Sequence, residues 1–171
     1  MLVSGCWLTS NQKPATSNQN MTNEELKIKL SEFSPAASFE DGQWLNINIE
    51  SKDWLPFAQQ LRNNTELQFD YLFCLTCIDW KTHLTMVYHL ESTKYRHIIV
   101  VKSKLDRTKA EIESVAQIWR TADFHEREVF ELFGVNFLHH PDLRLLILPD
   151  GWEGKFPLRK DFEDPVNMIK L

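Results

Sequence analysis

The sequence predicts an α+β fold: one domain in which a mostly antiparallel sheet packs against helices, followed by an extended, proline-rich C-terminal segment. Three observations predict it. The runs FDYLFCLTCID, HLTMVYHLE and YRHIIVVKSK are rich in β-branched and aromatic residues and are joined by short polar turns around Lys81 and Ser92 to Lys94. Connections that short favour antiparallel neighbours. Stretches of helical period flank these runs on both sides. Finally, Pro141, Pro149, Pro157 and Pro165 recur at near-regular intervals, which rules out long helices there and leaves a chain that wanders across a surface. The expected division is a disordered extension over residues 1–20, the α+β domain over 21–138 and an extended docking segment over 139–171.

Taken in order, SNQKPATSNQN is polar, aperiodic and has no apolar residue larger than Ala, so burial cannot offset its ordering entropy. MLVSGC resembles a lipoprotein cleavage box ending at Cys6, but it lacks the basic start and the apolar stretch of a secretory signal. Met21 reads better as a start. Thr22-x-x-Glu25 then forms a capping box opening a helix with apolar positions Leu26, Ile28, Leu30 and Phe33. QWLNINIE alternates, with Leu45, Ile47 and Ile49 on one strand face. Asp53 precedes a helix over WLPFAQQLRNN, where Pro56 is tolerated only within the first turn. After the three strands and Asp106, helical period returns through AEIESVAQIW and again through HEREVFELFGV. There is no internal repeat.

Composition excludes several function classes. A net charge of -5 and pI near 5.7 provide no basic field for nucleic acid or an anionic membrane. No apolar run approaches the roughly 20 residues of a membrane-spanning helix, so membrane contact has to come through other subunits. Three cysteines point to a reducing compartment rather than a disulfide framework.

Each chemical candidate has a plainer explanation. Cys74-x-x-Cys77 resembles half of a metal site, yet strand residues three apart face opposite sides of a sheet, and the remaining cysteine is Cys6. His139-His140 reads as a loop pair, because adjacent histidines seldom address one ion. No glycine-rich phosphate loop and no nucleophile arrangement is present. On the helix through HEREVFELFGV, the residues Ala122, Val129, Leu132 and Phe133 share an apolar face with Phe130 at its edge. Asp123, Arg127 and Glu131 form an acid-base-acid ladder on the other side, making Arg127 a solvated ladder residue or an arm toward a partner. Glu126 projects into the apolar arc. It either completes a capping box with Asp123 as N-cap or pairs with a cation across a subunit or domain boundary, with Arg144 and Arg159 as candidates. Gly134 ends the helix as a left-handed cap. A catalytic pair of Glu126 and Glu128 would have to converge, but residues two apart on a helix diverge by about 200°.

SVAQIWRTADFHEREVFELFGVNF, then HPDLRLLILPDGWEG and PLRKDF, with LTCIDW and VYHLES upstream, resemble the thirty-kilodalton (C) subunit of respiratory complex I, the proton-translocating NADH-quinone oxidoreductase. The resemblance spans Phe69 to Phe162. It rests on Glu126-Arg127-Glu128 with Phe133-Gly134, on Pro141, Asp142 and Arg144, on Pro149-Asp150, and on Arg159-Lys160-Asp161 after Pro157. His139 stands where the family usually has glycine, and Lys155-Phe156 replaces the single residue common before Pro157. The resemblance implies a scaffold in the peripheral arm, on the cytoplasmic side of the inner membrane. It would dock chiefly on the quinone-site (D) and iron-sulfur (B and I) subunits, with FMN and the iron-sulfur clusters held elsewhere and no redox cofactor of its own. A related placement is the equivalent position in a membrane-bound hydrogenase or a ferredoxin- or F420-type oxidoreductase.

Overall fold

A computed structural model of the chain describes residues 21–34 and 36–164. The expectations for residues 1–20 and for Pro165 onward lie outside the described residues. Helix α1 (Asn23–Phe33) opens on the expected capping box: Glu25 N donates to Thr22 Oγ at 3.3 Å and Thr22 N to Glu25 Oε2 at 2.8 Å. It buries Leu26 and Leu30, whereas Ile28 is 65% exposed, contrary to expectation. Two residues from Leu26 means about 200° around the axis, so Ile28 faces away.

A short strand β1 (Ser38–Glu40) precedes β2 (Leu45–Glu50), in which Leu45, Ile47 and Ile49 are buried as the alternation requires. Helix α2 (Ser51–Asn63) begins immediately after β2, earlier than Asp53 suggests, so Pro56 stands at the sixth helical position rather than in the first turn. Its missing N–H leaves the Lys52 carbonyl without its helical donor, but Lys52 and Pro56 are both exposed and water can serve that oxygen. Burial of Trp54, Phe57, Ala58 and Leu61 outweighs the loss.

Strands β3 (Tyr71–Asp79), β4 (His83–Glu91) and β5 (Ile98–Asp106) are antiparallel neighbours, as the short turns predict. The sheet order is β1-β2-β5-β4-β3, and only β2 with β5 is parallel. A bulge between Leu72 and Cys74 shifts the register, so Leu72 and Leu75 are both buried although three residues apart. Cys77 follows Leu75 inward while Cys74 lies on the other face. Burial pushes the Cys77 thiol up to about 12, which keeps it protonated.

The segment AEIESVAQIW departs from the helical expectation. Glu111–Glu113 is strand β6, paired in parallel with β7 (Asn136–Leu138), and Val115 to Trp119 make only a single turn, with Ile118 N and Trp119 N both donating to the Val115 carbonyl at 2.9 Å. Apolar spacing alone cannot distinguish a short buried strand plus a turn from a helix. Trp119 and Thr121 then tie the lead-in of helix α3 (Ala122–Phe133) to β3 and the residues just before it: Trp119 Nε1 donates to the Phe69 carbonyl at 2.9 Å and Thr121 Oγ1 to that of Leu72 at 2.7 Å. Trp54 packs against Tyr88 of β4 with ring centroids 4.3 Å apart and against Trp119 at 6.4 Å, joining α2, the sheet and this turn in one core.

Candidate functional site: helix α3 and the segment it holds

Helix α3 starts at N-cap Thr121, not at Asp123, and has no side-chain cap. Ala122, Val129 and Phe133 are buried as expected, with Leu132 and Phe130 at the margin. The far side of the helix differs from expectation. Arg127 and Glu131 are 7% and 2% exposed, so the acid-base-acid ladder is not solvated. Arg127 donates Nε to the Arg144 carbonyl at 3.2 Å and Nη2 to the Leu145 carbonyl at 3.0 Å. Glu131 accepts the next three backbone N–H groups, from Leu146 at 2.8 Å, Ile147 at 2.9 Å and Leu148 at 3.2 Å. One cation takes two consecutive carbonyls and one anion three consecutive amides, so a stretch with no helix or strand has its polar backbone satisfied by side chains.

Glu126 is fully buried, and the capping-box reading of it is corrected. It forms no capping box, and neither candidate cation reaches it. Its Oε2 accepts the Ser114 hydroxyl at 2.5 Å and its Oε1 the Val115 N–H at 2.8 Å, fixing the turn after β6. Burial lifts its carboxyl to about 7 against the lowering effect of those two donors, and Asp123 raises it further. His140 Nε2 lies 3.7 Å from Glu126 Oε2 and 3.6 Å from Asp123 Oδ1. Because His140 Nδ1 accepts the Asp142 N–H at 3.0 Å, the ring hydrogen belongs on Nε2, which faces the Asp123 carbonyl at 3.3 Å. Glu128 is half-buried, and its charge bears on Cys74 rather than on the groups around Glu126.

The helix ends as the sequence predicts. Gly134 has φ 72° and its N–H donates to the Phe130 carbonyl. The C-terminal segment returns here. Leu158 N donates to the Leu132 carbonyl at 3.1 Å and Arg159 Nε to that of Phe133 at 2.6 Å, so carbonyls left over at the helix end find donors, one of them cationic. The Phe156 ring covers Gly134 so closely that a Cβ there would lie 2.6 Å from it, and Arg159 stacks on that ring at 4.7 Å.

Asp142 and Arg144 pair with each other on the surface at 2.9 Å. Pro141, Pro149 and Asp150 are exposed, with the Pro149 carbonyl accepting Trp152 N at 3.2 Å. Lys160 N donates to Asp79 Oδ2 at 2.9 Å, and Asp161 pairs with Arg107. Asp79 and Arg107 form an anchor that motif reading missed. Asp79 is 3% exposed and accepts Nε and Nη2 of Arg107 at 3.0 and 2.9 Å, together with Lys81 N at 2.7 Å. The Arg107 guanidinium holds the Asp79 carboxyl far below the usual carboxylate range. A signal existed: Asp79 shares strand parity with Leu75 and Cys77, so it had to be buried and needed a partner.

His139 points away from His140, with Nδ1 2.8 Å from Glu113 Oε2, and both His139 and Phe156 have positive φ, at 61° and 48°. Among the described residues no group of three His, Cys, Asp or Glu side chains converges as a metal ligand set, and none of the helices is long and apolar enough to cross a membrane.

The model of the family described as respiratory-chain NADH dehydrogenase, 30 Kd subunit, matches residues 47–166. The chain belongs to this family. It is 45% identical over 104 residues to a C/D subunit of NADH-quinone oxidoreductase from Phocaeicola vulgatus, covering 60% of this chain and 20% of that protein. It is 41% identical over 142 residues to a C subunit of F(420)H(2) dehydrogenase from Methanosarcina mazei, covering 82% of this chain and 89% of that one. Thus the chain spans about a fifth of the C/D protein's length and nine-tenths of the other. A chain in the structure of the membrane-bound sulfane sulfur reductase, an archaeal respiratory membrane complex, superposes with TM-score 0.72 at 27% identity over 82% of this chain and 85% of that chain.

Proposed function

We propose that this 30 kDa-family chain is a scaffold subunit in the peripheral arm of a NADH-quinone oxidoreductase of the complex I type, with no redox cofactor and no catalytic centre of its own. One observation carries the reading: four charged side chains of helix α3 and the C-terminal segment, Glu126, Arg127, Glu131 and Arg159, are engaged with the chain's own backbone. Arg127 and Glu131 satisfy residues 144–148, Glu126 satisfies the turn at Ser114 and Val115, and Arg159 satisfies the end of α3. In this reading residues 139–171 are a docking segment, and Leu146, Ile147 and Leu158, which are 40%, 61% and 53% exposed, are turned toward partners.

The quinone-site (D) subunit is the first expected partner, because the Phocaeicola relative carries C and D together in its name. The iron-sulfur (B and I) subunits are the others. Electrons would pass from NADH through FMN and iron-sulfur clusters in other subunits to quinone, coupled to proton translocation, with this chain on the cytoplasmic side of the inner membrane and touching the bilayer only through the complex. The Methanosarcina relative favours a second reading, the same scaffold role in an F420-type oxidoreductase.

The test measures assembled complex, and quinone reduction per assembled complex, in cells carrying Glu126→Ala or Arg127→Ala. Reduced assembly with normal turnover in what assembles supports the scaffold. Normal assembly with abolished turnover overturns it. Co-purifying subunits and the accepted electron donor separate the two readings.

A further inference from the structure

The five-stranded sheet buries one face under the helices and leaves the other without a covering element among the described residues. Strand register maps that open face. Across it run Asn48, Lys102, Val87 and Thr76 in one row, and Glu50, Lys104, Thr85 and Ile78 in the next. At this end of the face is a pocket of about 350 Å³, lined by Ser38, Asn48, His83, Thr85, Lys102 and Lys104 among others. Neither lysine has an ion-pair partner among the described residues, whereas Lys27, Lys29 and Lys109 each pair with a carboxylate.

The nearby acids are mostly occupied elsewhere. Asp106 accepts Thr108 and Lys109 of its own turn, and Glu40 accepts the Asn48 amide. Glu50 remains, one carboxylate at the wall of a pocket with two ammonium groups and a histidine ring. Ile78, 39% exposed, ends the Lys104 row, and beyond the lysines the face turns apolar through Val87 and Val100, each 5% exposed, to Trp44, Phe73 and His89, whose rings lie 5.6–6.4 Å apart. A small anion would use only the basic end. A peptide segment carrying acidic residues followed by apolar ones would use the whole face.

We propose that the open sheet face is a docking surface for an acidic segment of a neighbouring subunit, whose carboxylates enter the pocket and pair with Lys102 and Lys104. Residues 1–20, Pro35 and residues 165–171 contain no Asp or Glu, so none of them supplies an acidic side chain to this face. Nothing in that assignment uses α3. It rests on the scaffold reading only in requiring that the chain work inside a complex. Cation and carboxylate meeting at a surface that becomes desolvated on assembly would set register and partner choice more than raw affinity.

The experiment uses the complex purified from its native membrane. Treatment with a zero-length carbodiimide should join Lys102 or Lys104 to an Asp or Glu of another subunit, identified by mass spectrometry. Acetic anhydride should acetylate Lys104 at least tenfold more slowly in the complex than in the isolated chain, with Lys52 and Lys81 as exposed controls. A Lys102→Glu/Lys104→Glu chain should melt like the parent yet enter the complex at least tenfold less well, and Lys102→Arg/Lys104→Arg should restore entry. The proposal falls if Lys104 is acetylated equally fast in both states. It falls equally if the cross-links run only within the chain or to a second copy. A chain that co-purifies with oxidoreductase subunits while Lys104 stays open sinks this proposal alone; a chain that co-purifies with none sinks the scaffold reading as well.

Discussion

Two regions of the molecule are held together by different physics. From Leu45 to Asp106 the chain is organised by strand ladders and by apolar side chains almost without exposure, Leu45, Ile47, Trp54, Leu84, Tyr88 and Val101 among them. From α3 onward the chain is organised by charged side chains bonded to backbone: Arg127 and Glu131 to residues 144–148, Arg159 to the end of α3, Asp79 to Lys160. Burial is non-directional and spread over many contacts, so the first region is held as one cooperative unit. Hydrogen bonds from a single ion are directional and unshared, so the second region depends on individual residues. A segment held by a few ions can present a defined surface without a core of its own, which suits a docking role.

The comparison breaks most visibly at Trp54. Trp54→Ala removes a fully buried ring stacked between Tyr88 and Trp119, and should cost about 3–5 kcal/mol. Denaturant unfolding should show one cooperative transition moving to lower concentration with an unchanged slope. Separate transitions for α2 and the sheet would contradict a shared core.

Next in size is Glu126, where the two kinds of stabilisation collide: a charged group placed in the apolar side. Its carboxyl rises from 4.5 to about 7 on folding, so the folded chain holds the proton more tightly than the unfolded one. That contribution to stability is complete below pH 4.5 and is lost as pH rises through 7. Over this window the parent should lose on the order of 3 kcal/mol from this group. Glu126→Gln, which mimics the protonated acid and keeps an acceptor for Val115 N–H, should lack that slope and be the more stable form at pH 8. Parallel stability-against-pH curves for the two proteins would refute the assignment.

A smaller effect sharpens the boundary between the regions. Gly134→Ala places a side chain at φ 72° and drives its Cβ to 2.6 Å from Phe156. The backbone strain alone is worth about 1–2 kcal/mol. Pairing it with Phe156→Ala in a double-mutant cycle should remove the contact part and leave the backbone part; full additivity of the two changes would mean that Phe156 does not sit on the glycine.

The same division explains what the sequence disclosed. Alternation in QWLNINIE, the β-rich runs, the capping box at Thr22 and the glycine after Phe133 each report a local rule, and each element is present where its rule places it. AEIESVAQIW misled because β6 owes its strand to β7, more than twenty residues later, a pairing that periodicity cannot register. Arg127 and Glu131 looked solvated because helical geometry shows which face they share, not that a later coil lies on it. The partners of Arg127, Glu131 and Arg159 are backbone groups, which carry no residue-type signature, so no motif could have named them. Asp79 was the exception, since its strand parity marked a buried acid in advance.

Hydrogen exchange at the amides of Leu146, Ile147 and Leu148 tests the central claim most directly, because these groups lie in no helix or strand and accept protection only from Glu131. In the isolated parent chain all three should be protected, and Glu131→Gln, which replaces a charged acceptor by an amide with a single acceptor oxygen, should raise their exchange at least tenfold while amides of β4 and β5 stay unchanged. Fast exchange at these amides already in the parent, or an unaltered rate in Glu131→Gln, would contradict the account that α3 exists to hold this segment.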